Sequence, residues 1–358
     1  MKKMRIAIIG QGRSGRGIHG KFFLSDDNDF CQVVCVVEKD ETRRAKAAAE
    51  YGCDTVSDYT ELFGRKDIDL VVNASFSQMH YSITKDLLCH GFNVLAEKPF
   101  GRSYYECMDL ILTAKQHGVT VAAFHQSLYA PSFLNVKEII KSGKLGEVYQ
   151  MSFKYSSFAR RWDWQTLQSC CAGSLYNSGP HPIGQALDLL GWDPETRVAF
   201  SSLTTVLTSG DGDDCGKVIL STPGKPVVDI EVNSADAFAD DFVFKIFGSK
   251  GTLVSSNSDY KIKYVEDFSE YPERPVIREF LADEQGKPAY CKEKLNFVTE
   301  EAKIEGSSFD KAVHDFYLMM YHTILEGAPL DITPEMAAQV IRVIETCHAE
   351  NPLPVKFD

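Results

Sequence analysis

The sequence predicts an α/β protein in two parts, a doubly wound parallel sheet over residues 1–124 and a second α/β unit built on a mainly antiparallel sheet over residues 125–358. Three observations carry this. Apolar runs of strand length alternate with helix-length stretches through the first third of the chain. A glycine loop, Gly10-Gln11-Gly12-Arg13-Ser14-Gly15, follows the first of those runs directly. From about residue 148 the pattern changes to strand-like runs with few helices between them.

Composition excludes several function classes. With 44% hydrophobic and 25% charged residues, the 358-residue chain can build ordinary cores. A formal net charge of -12 and the lack of a basic stripe argue against nucleic-acid and anionic-membrane partners. The apolar run after Met1-Lys2-Lys3-Met4 is too short for a signal peptide or a membrane span, which makes the cytoplasm the expected location. Ten cysteines are scattered with no C-x-x-C pair, so they are read as reduced small hydrophobes and no metal site is expected. Only the adjacent Cys170 and Cys171 lie beside a candidate site segment.

Arg5 to Ile9 reads as a buried parallel strand. In the G-x-G-x-x-G loop behind it, Gly10 allows the tight turn, Gly12 lets backbone approach a pyrophosphate, and Gly15 permits close helix–strand packing. This is the Rossmann pattern. A second apolar run, Val33 to Val37, ends in Glu38, where a carboxylate can take both ribose hydroxyls of an adenosine and repel a 2′-phosphate. That favours NAD over NADP, although Lys39 and Arg43 are close by.

Asp40 caps an alanine-rich helix through Ala49, with Gly52 beyond its end. Asp58 to Glu61 has capping-box spacing, Asp69 to Ala74 is the next strand, and Gln78 to Cys89 the next helix. Val94-Leu95-Ala96 is a strand ending in Glu97-Lys98-Pro99. Ser103 to Glu106 forms a full capping box for a helix that stops at Gly118, and Val119 to Ala123 returns as strand. A helix over Phe133 to Lys141 and a turn at Gly143 to Gly146 follow. Strands are predicted at Val148 to Tyr155, Arg197 to Leu207, Val227 to Val232 and Phe242 to Phe247, with a short one after Gly251. Ser256 to Ser307 is polar and carries no clear pattern. Asp310 to Leu325 and Pro334 to Ala349 close the chain as helices, the second capped by Thr333.

Two residues stand out chemically. Lys98 is held extended by Pro99 at the carboxyl edge of a parallel sheet, where ligands bind in such folds. His181 follows Pro180 at the start of a helix marked by Ile183, Ala186, Leu187 and Leu190, and a helix N-terminus favours the neutral imidazole. Alone, each has a plainer reading, a surface lysine and a packed histidine.

These features occur in order with Gly143-Lys144-Leu145-Gly146-Glu147-Val148, Trp162-Asp163-Trp164, Gly173 to His181, and Gly327-Ala328-Pro329 before Thr333-Pro334-Glu335. Together they resemble the glucose-fructose oxidoreductase, inositol dehydrogenase and rhizopine catabolism (Gfo/Idh/MocA) family across nearly the whole chain. The resemblance implies a large open sheet in the second domain, a homodimer or homotetramer, and NAD(P)-dependent oxidation or reduction of a sugar, polyol or related small molecule. It implies that Lys98 lies beside the nicotinamide, that His181 is the acid/base, and that Asn177 holds the position often occupied by aspartate. With the tight bend, it also implies a cis Lys98-Pro99 bond. Gly10, Gly12, Arg13, Ser14, Gly15, Glu38, Ser75, His80 and Glu97 form the expected cofactor set, His80 being equally a helix-packing residue. His125, Gln126, Tyr129, Arg160, Arg161, Trp162, Asp163 and Tyr176 are the expected substrate contacts.

Ser127-Leu128, Gly184 and Cys171-Ala172-Gly173 depart from the arginines, aspartate and triple glycine common in relatives. They bear on the charge and shape of the substrate. Two other readings stay open, a retained NAD used for transient oxidation during glycoside elimination or hydrolysis, and a catalytically silent dinucleotide sensor.

Overall fold

The computed structural model describes residues 2–239, 242–291, 293–305 and 308–357. Met1, and positions 292, 306 and 307 of the unassigned polar segment, lie outside them.

The first sheet contains β1 (Met4–Ile9), β2 (Cys31–Val37), β3 (Asp54–Val56), β4 (Leu70–Asn73), β5 (Val94–Ala96) and β6 (Val121–Ala123). All five pairings are parallel and the order is β3-β2-β1-β4-β5-β6, that of a Rossmann sheet. Met4, Ile6, Leu70, Val71, Val94 and Leu95 are fully buried, as continuous apolar strands covered on both faces should be. Helix α1 follows the glycine loop as a π-type stretch, Gly15–Gly20, continued by Lys21–Phe23. Next come α2 (Glu41–Tyr51), α3 (His80–Cys89) and α4 (Tyr104–His117).

Local capping explains most boundaries. Asp40 accepts the Arg43 amide at 2.8 Å, and Gly52 ends α2 in the left-handed region. The Asp58–Glu61 box forms, but over one 3-10 turn, Tyr59–Leu62. The box expected before α4 is half made. Ser103 accepts the Glu106 amide at 3.2 Å, while the Glu106 carboxylate takes the Arg102 amide at 2.7 Å in place of Ser103's.

After α5 (Pro131–Lys141), the second sheet runs β14-β13-β12-β11-β7-β10-β9-β8. Its strands are β7 (Val148–Ser156), β8 (Arg197–Thr204), β9 (Cys215–Ser221), β10 (Val227–Asn233), β11 (Phe244–Gly248), β12 (Gly251–Ser255), β13 (Asp259–Tyr264) and β14 (Val298–Lys303). Only β7 and β10 pair in parallel. No strand is expected from sequence at β9, β13 or β14, although β13 alternates polar and apolar residues as Asp259-Tyr260-Lys261-Ile262-Lys263-Tyr264. The sequence pattern also runs β8 on to Leu207, whereas the amides of Val206, Leu207 and Thr208 bond to the Asp214 carboxylate and leave the ladder.

Between β7 and β8 lie α6 (Ser174–Asn177) and α7 (Pro180–Leu189), and the chain closes with α8 (Ser308–Glu326) and α9 (Pro334–Glu350). Met151, Phe153, Val218, Leu220, Val228 and Ile230 face the helices and are buried. The other face carries ion pairs such as Lys217–Asp229 and Lys261–Glu301. Helices α8 and α9 return to the first sheet, with Tyr317 packed under His19 and the Glu345 carboxylate accepting the Tyr104 amide at 2.9 Å. Among the described residues, no helix is long and apolar enough to cross a membrane.

Candidate active site

The strand order reverses between β1 and β4, so their carboxyl ends open a crevice. Two close approaches explain its glycines. A Cβ on Gly10, which holds φ +89°, would lie 2.6 Å from the Ala74 carbonyl oxygen, and one on Gly15 would lie 1.9 Å from that of Gly10. Gly12, by contrast, has open space around it. Glu38 closes the far side of the loop, its carboxylate accepting the amides of Gln11 at 2.8 Å and Asp40 at 3.0 Å. The cleft has a volume of about 1100 Å³ and runs from Glu38, Lys39 and Arg43 past Gly10, Gly12, Arg13, Ser14 and Ser75 to Lys98 and His181. Open space at Gly12, a carboxylate at the β2 end and an elongated crevice fit a dinucleotide. Gly15 serves by packing and is buried.

Lys98 leaves β5 through a cis bond to Pro99. The buried Glu97 carboxylate accepts the Lys98 amide at 3.0 Å and bonds His19 Nε2 at 3.1 Å, and His19 Nδ1 meets the Tyr317 hydroxyl at 2.6 Å. Burial alone would raise the Glu97 carboxyl, but its bond to His19 and the nearby Lys98 charge hold it at about 2. It is a buried support beneath Lys98 as well as part of the cleft wall. His80 lines the cleft, yet it is buried with Nδ1 2.8 Å from the Pro99 carbonyl and Nε2 3.1 Å from that of Ser75. Burial lowers its pKa, and a neutral ring donates only once, so the shorter Nδ1 bond to Pro99 fits the donated one.

The Lys98 ammonium donates to Asn177 twice, to the backbone carbonyl at 2.6 Å and to Oδ1 at 2.9 Å. Burial lowers the lysine pKa, Glu97 opposes this, and the charges of Arg13 and Arg161 add to the lowering. Asn177 Oδ1 also accepts from Gln165 Nε2 at 3.3 Å, and Gln165 Oε1 accepts from the Arg161 guanidinium, itself paired with Asp163 at 2.7 Å.

His181 lines the same cleft from the start of α7. Burial, with the neighbouring Lys98 and His125, pushes its pKa down to about 3, so the neutral ring owes more to its surroundings than the sequence reading allows. Nδ1 meets Ser127 Oγ at 3.1 Å, and Nε2 has no hydrogen-bond partner among the described residues. The Tyr155 ring stacks against the imidazole with centroids 6.4 Å apart. Tyr155 bonds Gln185 Oε1 at 2.9 Å, and Gln185 Nε2 bonds the Ser127 carbonyl at 2.9 Å. These contacts fix the ring's plane.

Of the eight expected substrate contacts, Gln126, Arg161 and Asp163 line the cleft. The others are placed elsewhere. His125 is buried behind it, with its pKa lowered to about 4 by burial and Lys98. Tyr129 bonds Asp331 at 3.1 Å, and Arg160 donates to the Leu207 carbonyl at 3.2 Å. Tyr176 bonds the Arg102 carbonyl and stacks on His348. Trp162 is 80% exposed, and Trp164, in the 3-10 turn Trp164–Thr166, turns inward against Phe76 instead. Gln165, Trp164 and Ser178 are cleft residues outside the expected substrate contacts, although Trp164 and Ser178 lie in motifs quoted from sequence. Cys171 is buried and its thiol is pushed up to about 12, which leaves it unreactive.

Comparison with known proteins gives two family matches in chain order. Residues 4–125 match the oxidoreductase family with an NAD-binding Rossmann fold, and residues 133–254 match the GFO/IDH/MocA C-terminal domain. An uncharacterized oxidoreductase of Schizosaccharomyces pombe is 27% identical over 268 residues, 72% of each chain. The scyllo-inositol 2-dehydrogenase (NADP(+)) IolW of Bacillus subtilis is 24% identical over 349 residues, 96% of this chain and 92% of its own. The solved structure of the oxidoreductase YvaA of Bacillus subtilis shares the fold, with a TM-score of 0.76, 22% identity, and coverage of 97% and 95%.

Proposed function

This chain belongs to the Gfo/Idh/MocA oxidoreductase family, with an NAD-binding Rossmann domain, and from that premise we propose that it oxidises or reduces a CH–OH carbon of a sugar, polyol or sugar derivative. The observation that carries this is the convergence of Lys98, Asn177 and a neutral His181 on one wall of the dinucleotide cleft. The inositol dehydrogenase among its relatives supports the substrate class.

When bound, the nicotinamide supplies the hydride acceptor or, in reverse, the donor. The chain's own residues handle the proton and the charge. His181 Nε2 takes the hydroxyl proton, while Nδ1 is occupied by Ser127. Lys98 has three N–H donors, and Asn177 uses two of them. The third faces the substrate oxygen and stabilises it as negative charge grows. Gly10, Gly12, Arg13 and Ser14 would hold the pyrophosphate, with Gly15 packing behind them, Ser75, His80 and Glu97 lining the inner part of the groove, and Glu38 the adenosine ribose.

Glu38 favours NAD over NADP by opposing a 2′-phosphate, whereas Lys39 and Arg43 on the same wall temper that preference. The active species is proposed to be a homodimer or homotetramer, acting in the cytoplasm. Absorbance of the reduced nicotinamide across a panel of inositols, sugars and glycosides tests the reaction. NAD(P)H formation supports it, and product without NAD(P)H, or binding without turnover, overturns it. Direct titration with NAD and NADP tests the preference, which tighter NADP binding would sink.

A further inference from the structure

Beside the cleft lies a second chamber of about 1210 Å³, where β7 and β10 end and the β12–β13 turn meets β14. The two spaces share a wall, since Ser178, next to Asn177, lines both. Tyr155, which backs His181, also lines the chamber. Its surface is dense in hydroxyl residues, among them Ser234, Ser258 and Tyr260. Ser156 also lines it, with its Oγ sealed from solvent and without a hydrogen-bond partner among the described residues.

Among the described residues, the charges around the chamber come in opposed pairs. Lys154 meets Asp236 at 2.7 Å, Lys261 meets Glu301, and Asp259 stands opposite Lys303 across β13 and β14. Balanced charge gives a phosphate or carboxylate no advantage. Hydroxyls that both donate and accept, beside the Tyr260 ring, match a neutral polyhydroxylated ligand.

We propose that this chamber is a second sugar subsite. The substrate is then a glycoside or oligosaccharide, with its reacting ring at Lys98 and His181 and its next ring in the chamber beyond Ser178. The inference rests on reading the cleft as a carbohydrate-oxidising site and names the substrate class of that site.

The test uses NAD-loaded full-length protein with glucose, cellobiose, maltose and lactose. At least one disaccharide should exceed glucose in kcat/KM by tenfold or more. Ser258→Trp, on the exposed β12–β13 turn, should erase that advantage while glucose kinetics and the melting temperature stay unchanged. Equal kcat/KM for all four sugars, or an advantage that survives Ser258→Trp, overturns the proposal. So does a Ser258→Trp protein that loses an oligomer seen by sedimentation yet keeps its sugar preference, which would make the chamber a contact between copies. Disaccharide binding that Ser258→Trp abolishes, without any NADH formation, upholds the chamber and overturns the oxidation reading. Neither binding nor turnover overturns both.

Discussion

Lys98 Nζ donates to both oxygens of Asn177, so one short helix end grips the lysine of the other sheet across the cleft. The amide supplies no negative charge, and the lysine keeps a lowered pKa.

Replacing that amide tests the grip. Asn177→Asp places a carboxylate against Lys98 and near His181, and an opposite charge favours both cationic forms. The acid limb of the kcat/KM profile, set by His181, should move to higher pH, and the alkaline limb set by Lys98 should also rise. Asn177→Ala should lower kcat by about 10²-fold, a loss typical of a misplaced charge-stabilising group. Unmoved limbs in the aspartate variant would remove Asn177 from the site.

Gln165 acts through Asn177 as a positioning residue. Arg161 can only donate, so it fixes which end of the Gln165 amide faces Asn177 and thereby keeps Oδ1 toward Lys98. Gln165→Leu should lower kcat by roughly tenfold and shift the alkaline limb, leaving dinucleotide affinity as it was. Gln165→Asn should recover part of the loss. A purely structural role would instead change the melting temperature and leave the pH profile alone.

The three loop glycines should separate stability from binding. Gly12→Ala meets nothing within 4 Å and should melt like the parent while binding NAD more weakly. Gly15→Ala would push Cβ into the Gly10 carbonyl and Gly10→Ala would combine a clash with φ +89°, so each should cost stability, about 1–3 kcal/mol for the backbone strain at Gly10. Thermal melts with and without NAD distinguish the two classes.

Asp213 links pH to the same region. Its buried carboxylate accepts the Leu175 amide at 2.7 Å at the start of α6, the helix that ends in Asn177, while Oδ1 lacks a hydrogen bond 3.7 Å from His348. Burial raises its pKa from the usual 3.8 to about 7. A raised folded pKa gives stability that is complete below pH 3.8 and is lost as pH rises toward 7, at most roughly 4 kcal/mol by linkage. His348, lowered to about 4, loses stability in the opposite sense as pH falls below 6.5, so in the parent the two slopes nearly cancel between pH 4 and 6.5. The melting temperature of Asp213→Asn relative to the parent should therefore climb between pH 4 and 7 and then level off. A difference independent of pH would contradict this.

How much of this was legible depended on sequence range. The Rossmann half was, because its signals are local. Buried strands are continuous apolar runs, Asp40 and Ser103 cap their own helices, and Gly15 answers to a contact with Gly10 in its own loop. The Lys98 and His181 segments also stood out, each marked by a proline that restricts its neighbours. The second sheet was less legible. The β14 strand is a polar edge without a hydrophobic period, whereas β13 does alternate, with Tyr260, Ile262 and Tyr264 between Asp259, Lys261 and Lys263, but it is short and set in a polar stretch.

By itself the sequence determined the strand–helix alternation, the dinucleotide loop and the identities of the lysine, asparagine and histidine. Only the tertiary structure decided which neighbours reach them. Trp164, at the start of a 3-10 turn, faces the cleft, whereas Trp162, before that turn, is 80% exposed. Tyr317, His19 and Glu97 form one buried chain although 298 residues separate the first two. Such contacts depend on which elements pack together and on how each backbone turn aims a side chain. Neither is encoded in the spacing of residues along a single element.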